Sequence, residues 1–219
     1  GSDVNVVVQT KADPDLSVGT VRVKVATATT VRDDPDRSAA VDAAIETWRE
    51  LWAPFGLNLD VEVQDVDFSP SLPASSAGSV ALEELAYTTD DDQMLVLIGE
   101  AVGAGDVRGG DPGAVPNALV ATRRSAVVVS WLAHAGPDGV LDADETAMLG
   151  QSLAHHAAHY MGVRHPVEPS WDAWDALDDT PICLDEEMCS QDFSDNVMFP
   201  LETCAGDCVP VYTEEQIGV

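Results

Sequence analysis

Basic residues are scarce in this chain, which has 10 Lys and Arg against 39 Asp and Glu and a formal net charge of −29. Nucleic acid is excluded as a partner, because a surface of this charge repels phosphate. Anionic membrane surfaces are excluded for the same reason. The simplest interpretation of the acidity is a solvated surface, and calcium binding is the alternative.

Long apolar runs are also missing. No segment approaches the roughly twenty apolar residues that cross a bilayer, so we expect no membrane insertion. No secretory leader is recognisable. Gly1-Ser2 is typical of a cloning scar, so removal of a leader peptide during cloning remains an open alternative. The hydrophobic fraction of 45% over 219 residues is nevertheless enough for a substantial folded core.

Cysteine is absent until the last part of the chain, where four residues occur: Cys183, Cys189, Cys204 and Cys208. None of them forms the Cys-x-x-Cys spacing of a metal knuckle. Their even number in a loop-rich segment predicts two disulfides, with three pairings open. Disulfides require an oxidising compartment, so we expect a secreted, periplasmic or cell-surface protein.

Histidine is scarce but concentrated, since four of the five fall within residues 155–165. His155 and His159 are four apart on a predicted helix, so both rings lie on one face and can reach one ion at about 2.0–2.1 Å. Gly162 allows the left-handed turn that ends the helix and returns His165 as a third ligand. Three protein ligands leave a position for water, as in catalytic zinc. We therefore predict a zinc site rather than surface histidines without metal.

A second signal is the segment Asp195-Asn196-Val197-Met198-Phe199-Pro200, about thirty residues downstream. Together, the two segments resemble the zinc signature and Met-turn of the metzincin peptidases, His-Glu-x-x-His-x-x-Gly-x-x-His followed by a methionine turn. His156 stands where that signature has glutamate. The resemblance covers about residues 145–216 and implies that Met198 forms the structural base of the zinc site.

Within the metzincins, the chain is most similar to the pappalysin and cytophagalysin group. The similar features are an Asp-Thr-Pro segment at residues 179–181, cysteines around the methionine turn, and Tyr212-Thr213-Glu214-Glu215-Gln216. The resemblance implies alternating disulfides, Cys183–Cys204 and Cys189–Cys208. The sequence departs from that group at Phe199-Pro200, which looks more like the matrix metalloproteinases. A tyrosine expected after the methionine is missing, which puts its contribution to metal binding or transition-state stabilisation in doubt.

Apolar patterning alone predicts an α+β or α/β fold, and the resemblance implies the α+β class with an α/β-like N-terminal lobe. The predicted strands cover residues 4–8, 18–29, 57–63, 94–98 and 126–131, with an edge strand at 118–122 and a helix over 38–52 capped by Ser38. A second helix contains the histidines and starts at Asp142 or Asp144. The resemblance implies one zincin-like catalytic domain, 1–219, with a mostly parallel twisted sheet, an antiparallel edge strand and two helices in the lobe 1–162. An irregular, disulfide-tied lobe with the Met-turn follows at 163–219.

The replacement at position 156 decides the chemistry. In metzincins the glutamate takes a proton from the zinc-activated water and passes it to the leaving amine. His156 lies about 100° round the helix from His155, towards the same cleft, and its ring can accept a proton but supplies no negative charge. A naturally altered or inactive homologue, an engineered substitution and a working histidine base all remain open. The predicted function is a zinc metallopeptidase homologue that acts on peptide bonds, and the alternative is an inactive pseudopeptidase that binds a peptide or protein partner.

Two acidic segments are calcium candidates. Residues 138–145 read like the rear half of an EF-hand loop, but His134 and Gly136 stand where carboxylates are needed, so a helix-capping loop is the preferred interpretation. The second candidate comprises Asp172, Asp175, Asp178 and Asp179. Trp171 and Trp174, in the same region, are expected to pack in the lower lobe.

Overall fold

The fold is described by a computed structural model for residues 18–32, 34–67, 71–72, 93–103, 108–110, 126–175, 177–178, 180, 182–201 and 210–217. Several predictions fall outside these residues. They are the strands at 4–8 and 118–122, the aspartate Asp179, and the cysteines Cys204 and Cys208.

The centre of the molecule is a five-stranded sheet in the order β2-β1-β4-β7-β6. Its strands are β1 (Gly19–Ala28), β2 (Leu57–Val66), β4 (Gln93–Gly99), β6 (Gly109–Gly110) and β7 (Ala126–Ser130). The first four strands in the order are parallel, and β6 runs antiparallel to β7. A small parallel pair joins β3 (Ser71–Leu72) to β5 (Ala101–Val102). The fold class is therefore the predicted one, a mostly parallel sheet with an antiparallel edge strand.

Six helices accompany the strands in the described residues. They are α1 (Thr29–Arg32), α2 (Pro35–Trp52), α3 (Leu132–Ala135), α4 (Ala143–Met161), α5 (Glu186–Phe193) and α6 (Glu214–Ile217). Short 3₁₀ turns occur at Ala53–Phe55 and Gly136–Asp138. None of the described helices is both long enough and apolar enough to cross a membrane.

Helix α2 packs on the sheet through the face that its sequence predicts. Five residues of that face are buried: Val41, Ala44, Ile45, Trp48 and Trp52. The predicted cap was wrong, because the helix begins one turn before Ser38. Asp34 caps it by accepting a hydrogen bond from the Asp36 backbone N–H at 2.7 Å, and Pro35 follows as the first helical residue. Proline suits that position because its missing N–H is not needed there.

The continuously apolar runs of β4 and β7 have side chains buried on both faces of the sheet. Met94, Val96 and Ile98 join the main core with α2 and α4, whereas Leu95 and Leu97 belong to a second cluster on the opposite face. Burial on both faces explains why these strands show no alternation of polar and apolar residues.

Helices α2 and α4 approach closely at Gly150. A Cβ at this position would lie 2.5 Å from the Thr47 Cβ and 2.6 Å from the Ala44 carbonyl oxygen. The absence of a side chain therefore sets the distance between the two helices. Leu149 and Leu153 continue the contact into the main core, which also holds α4 against the sheet.

The C-terminal segment contributes to the same core. Val197 and Met198 are buried there, and Tyr212 packs against the cluster. The Tyr212 hydroxyl accepts a hydrogen bond from Trp52 Nε1 at 3.0 Å, and its ring stands edge-on to Phe55. The two predicted lobes thus share apolar packing.

A separate small cluster contains the disulfide, which joins Cys183 to Cys189. The predicted pairing of Cys183 with Cys204 and of Cys189 with Cys208 was therefore wrong. Cys183 pairs with Cys189 because of where helix α5 begins. Asp185 caps this helix by accepting a hydrogen bond from the Met188 backbone N–H. This start places Cys189 in the first turns of the helix, with its Cα 5.1 Å from that of Cys183, within the range that a disulfide spans.

Replacing Tyr212 with phenylalanine is expected to change how stability depends on alkaline pH. Burial raises the pKa of Tyr212, although the hydrogen bond from Trp52 acts in the opposite direction. In the unfolded chain the Tyr212 hydroxyl ionises at about pH 10, before it does so in the folded protein. Its contribution to the free energy of unfolding is therefore present below pH 10 and is lost as pH rises further. Urea unfolding should show a smaller loss between pH 8 and pH 10.5 in Tyr212→Phe than in the wild type. The variant should also be less stable at pH 8 by about 1–3 kcal/mol, because Trp52 Nε1 loses its acceptor. Equal losses in both proteins would contradict the prediction.

Candidate metal centre

Helix α4 carries two of the predicted ligands and has well-defined ends. Asp142 is its cap: the Asp142 carboxylate accepts from the Glu145 N–H at 2.8 Å, and the Glu145 carboxylate accepts from the Asp142 N–H at 2.9 Å. This reciprocal arrangement is a capping box, and it selects Asp142 over Asp144. The helix ends at Gly162, whose φ of 114° is the left-handed geometry that the sequence predicted.

The three predicted ligands meet at one point. Nε2 of His159 lies 3.1 Å from Nε2 of His155 and 2.9 Å from Nε2 of His165, and the remaining pair is 3.2 Å apart. Among the described residues, these three form the group of His, Cys, Asp or Glu side chains placed to hold a metal ion. His155 and His159 are buried, whereas His165 comes from the segment after the helix and is partly exposed.

The opposite nitrogen of each ring is bound to an oxygen. Nδ1 of His155 donates to the Val197 carbonyl at 2.7 Å, and Nδ1 of His159 donates to the Val163 carbonyl at 2.8 Å. Nδ1 of His165 faces the Glu168 carboxylate at 3.2 Å. These acceptors place the proton of each neutral ring on Nδ1 and leave the lone pair of each Nε2 directed at the common point.

This donor set fits a zinc ion. Three lone pairs about 3 Å apart repel one another unless a cation lies between them. Nitrogen ligands at 2.0–2.1 Å in a tetrahedral site are separated by about 3.3 Å, close to the spacing of the Nε2 atoms. Neutral imidazole held from its other nitrogen is the usual histidine ligand of zinc.

The turn around Met198 supports His155. The Met198 N–H donates to the Asn196 side-chain oxygen at 2.8 Å, and the Phe199 N–H donates to the Asn196 carbonyl at 2.9 Å. Asn196 is itself buried and donates to Gln216 Oε1 at 3.0 Å. Met198 is fully buried in the main core. It directly follows Val197, whose carbonyl accepts the hydrogen bond from His155 Nδ1.

His156 lies beside the three ligands but outside the group they form. Its ring centroid is 4.9 Å from that of His155, and the ring packs against Gly109 of the edge strand β6. A Cβ at Gly109 would overlap the His156 ring and lie 2.9 Å from the Val128 carbonyl. Burial, followed by the neighbouring imidazoles, lowers the pKa of His156 well below its ordinary 6.5. The fifth histidine, His134, is bound between the Ser130 carbonyl and the Ser152 hydroxyl.

The acidic segments form local contacts. Asp138 accepts from the Val140 N–H at 3.1 Å, and Asp142 caps α4, as expected of a helix-capping loop. Asp172 accepts from the Ser170 hydroxyl, and Asp175 accepts from the Leu177 N–H at 3.3 Å. Neither segment forms a group of three candidate metal ligands in the described part of the chain.

The two tryptophans after the ligands differ. Trp171 packs against Phe199, with ring centroids 6.2 Å apart, as the sequence suggested. Trp174 is 38% exposed, so its expected packing in the lower lobe is only partial.

Sequence reasoning missed several residues that shape the centre. Glu168 and Gly109 were not singled out, nor were the carbonyls of Val163 and Val197. Glu168 offered a usable signal, since it is the first carboxylate after His165 and follows it by three residues. A backbone carbonyl has no sequence signal, because every residue carries one.

No protein-family model matches this chain, and no curated protein matches it. Solved structures with a similar backbone fold include an archaemetzincin from Methanopyrus kandleri, at 17% identity and a TM-score of 0.47 over 94% of each chain. A metalloproteinase-II from Bacteroides fragilis aligns at 12% identity and a TM-score of 0.43 over 71% of this chain. The chain spans 45% of the length of that protein. A chaperone–substrate complex aligns at 12% identity and a TM-score of 0.43, over 69% of this chain and 24% of the other.

Proposed function

We propose that the chain is a zinc-binding metallopeptidase homologue that acts on peptide bonds, with His155, His159 and His165 as the zinc ligands. The observation that carries this proposal is the convergence of three Nε2 atoms whose rings are held from Nδ1. His155, His159 and His165 would hold a zinc ion, which would lower the pKa of a bound water molecule and polarise a peptide carbonyl.

The residues around the ligands set the expected rate of hydrolysis. His156 occupies the position of the general base, and burial keeps its ring neutral, so it can accept a proton but adds no negative charge. The Glu168 carboxylate is engaged with His165. We therefore expect slow hydrolysis compared with a site that has a carboxylate at position 156.

The second candidate function is a pseudopeptidase that binds a peptide or protein partner. It is favoured by the packing of the His156 ring against Gly109, which occupies space beside the ligands without supplying a carboxylate. Hydrolysis of denatured casein or of a peptide library, with zinc present, distinguishes the two functions when compared with His159→Ala. Turnover above this variant supports the peptidase, and equal background in both proteins supports the binder.

Protein purified without chelators is expected to contain about one zinc ion per chain. The ion should be lost in His159→Ala, because two nitrogens cannot hold it as three do, and retained in His134→Gln. His134 is a suitable control because it is a buried histidine bound to Ser130 and Ser152 rather than to the ligand group. Metal analysis by mass spectrometry measures the ratio. Protein without zinc, or His159→Ala with the wild-type content, would overturn the zinc proposal.

The remaining features extend the proposal. Met198, buried after the carbonyl that holds His155, forms the structural base of the centre. The chain is one catalytic domain, 1–219, whose segment 163–219 completes the metal site. The Cys183–Cys189 disulfide supports an oxidising compartment, and hence a secreted, periplasmic or cell-surface protein. The proposed kinship with the pappalysin group rests on residues 179–181, on the cysteines around the Met-turn and on residues 212–216.

A further inference from the structure

The three ligands are not held in the same way. His155 and His159 donate to backbone carbonyls and are 3% and 7% exposed. The third ligand, His165, faces a carboxylate instead, and its side chain is 18% exposed. His165 also lies outside the helix, so no helical backbone fixes its position. Release of an ion from this centre should therefore begin at His165.

The carboxylate that faces His165 is placed by a short hairpin. The Glu168 N–H donates to the Ala173 carbonyl at 2.8 Å, and the Glu168 carbonyl accepts from the Trp171 N–H at 2.9 Å. Val167 and Trp174 pair across the hairpin as an antiparallel bridge. The tip of this hairpin contains Trp171, whose φ is 59°. In the described part of the chain, it is the non-glycine residue with a positive φ. The backbone thus fixes Glu168 independently of its side chain.

We propose that Glu168 is a positioning residue that orients His165 and sets how tightly this centre holds its metal, an inference that rests on the proposed zinc function. By accepting a hydrogen bond from the Nδ1–H group, the carboxylate fixes the tautomer and the ring orientation of His165. Its charge also makes Nε2 a stronger donor. Zinc with three neutral ligands would carry two positive charges, and the Glu168 carboxylate would offset part of that charge through His165.

The test compares Glu168→Gln and Glu168→Ala with Asp172→Asn in the full-length, zinc-loaded protein. Asp172→Asn is matched because it removes one negative charge from the same hairpin, where Asp172 contacts Ser170 rather than a ligand. Zinc affinity is measured by competition with a chromogenic chelator. Both Glu168 variants should bind zinc about 10–100-fold more weakly, and release it faster, whereas Asp172→Asn should match the wild type. Glu168→Asp should recover part of the loss.

A second measurement is independent of activity and of affinity. Imidazole ¹⁵N shifts of the zinc-free protein report the tautomer of His165, which should be protonated at Nδ1 in the wild type and mixed in Glu168→Ala. A merely structural role would leave this tautomer unchanged. Thermal unfolding checks that the variants fold. If Glu168→Ala does not fold, Glu168→Gln still provides the test, because glutamine preserves the shape of the side chain. Affinities equal to that of Asp172→Asn would overturn the inference, whereas a wild type without zinc would overturn the proposed function itself.

Discussion

Replacing His156 with glutamate is expected to raise peptide hydrolysis by about 10²–10⁴-fold, the usual contribution of general acid–base catalysis. The reason is that the three proposed zinc ligands already lie together, and position 156 follows His155 directly on α4. A carboxylate there would supply both a proton acceptor and the negative charge that imidazole lacks. The His156 ring now lies in the space beside Gly109, and we expect the unbranched glutamate side chain to occupy the same space.

The measurement is the rate on denatured casein or a peptide library, with zinc content determined for each protein. His156→Gln is the matched control, because it has the length and polarity of glutamate without the charge. A rise with glutamate alone would show that the histidine silences a competent peptidase. An unchanged rate with zinc still bound would favour the binding function. A fall would show that His156 is itself the working base, contrary to our expectation.

Replacing Gly150 with alanine is expected to destabilise the fold by about 1–3 kcal/mol, as overpacking of a well-packed contact does. Helix propensity alone predicts the opposite sign, a gain of about 1 kcal/mol. Contact with α2 should decide the outcome, because the new Cβ would lie 2.6 Å from the Ala44 carbonyl oxygen. A backbone oxygen cannot move aside as the end of a flexible side chain can, so α4 would have to shift away from α2.

Chemical denaturation of zinc-free protein measures this effect without a contribution from metal binding. Ala147→Gly, one turn earlier on the same helix and partly buried beside α2, measures the propensity effect together with a small loss of contact, and it should cost about 1 kcal/mol or more. A stabilised Gly150→Ala variant would show that the two helices separate easily and that the close approach is not required.

The histidine centre was predictable because its signal is local. His155 and His159 share a helix face through their spacing alone, and Gly162 ends that helix as expected. The buried face of α2 and the interior strands were predictable for the same reason. Their apolar patterns arise from the periodicity of the element itself.

The rest of the centre depends on tertiary contacts that leave no such pattern. Glu168 resembles any exposed glutamate until the hairpin places it against His165, and Gly109 lies in β6, where the sequence predicted no strand. The disulfide pairing was inferred by analogy and was wrong, because the start of α5 brings Cys189 back to Cys183. Sequence separation alone cannot distinguish such pairings.

The three oxygens that hold the histidines lie on separate parts of the chain, and Val197 follows His155 by 42 residues. An ion bound to all three rings would tie α4 directly to His165, and it would hold His155 in the orientation that donates to the turn at Met198. In effect it would be a reversible cross-link between α4 and the start of the 163–201 stretch. Chelation would release that constraint while the sheet and α2 stay folded, so a digestive protease should cut the chelated protein first in this stretch and leave the zinc-loaded protein intact.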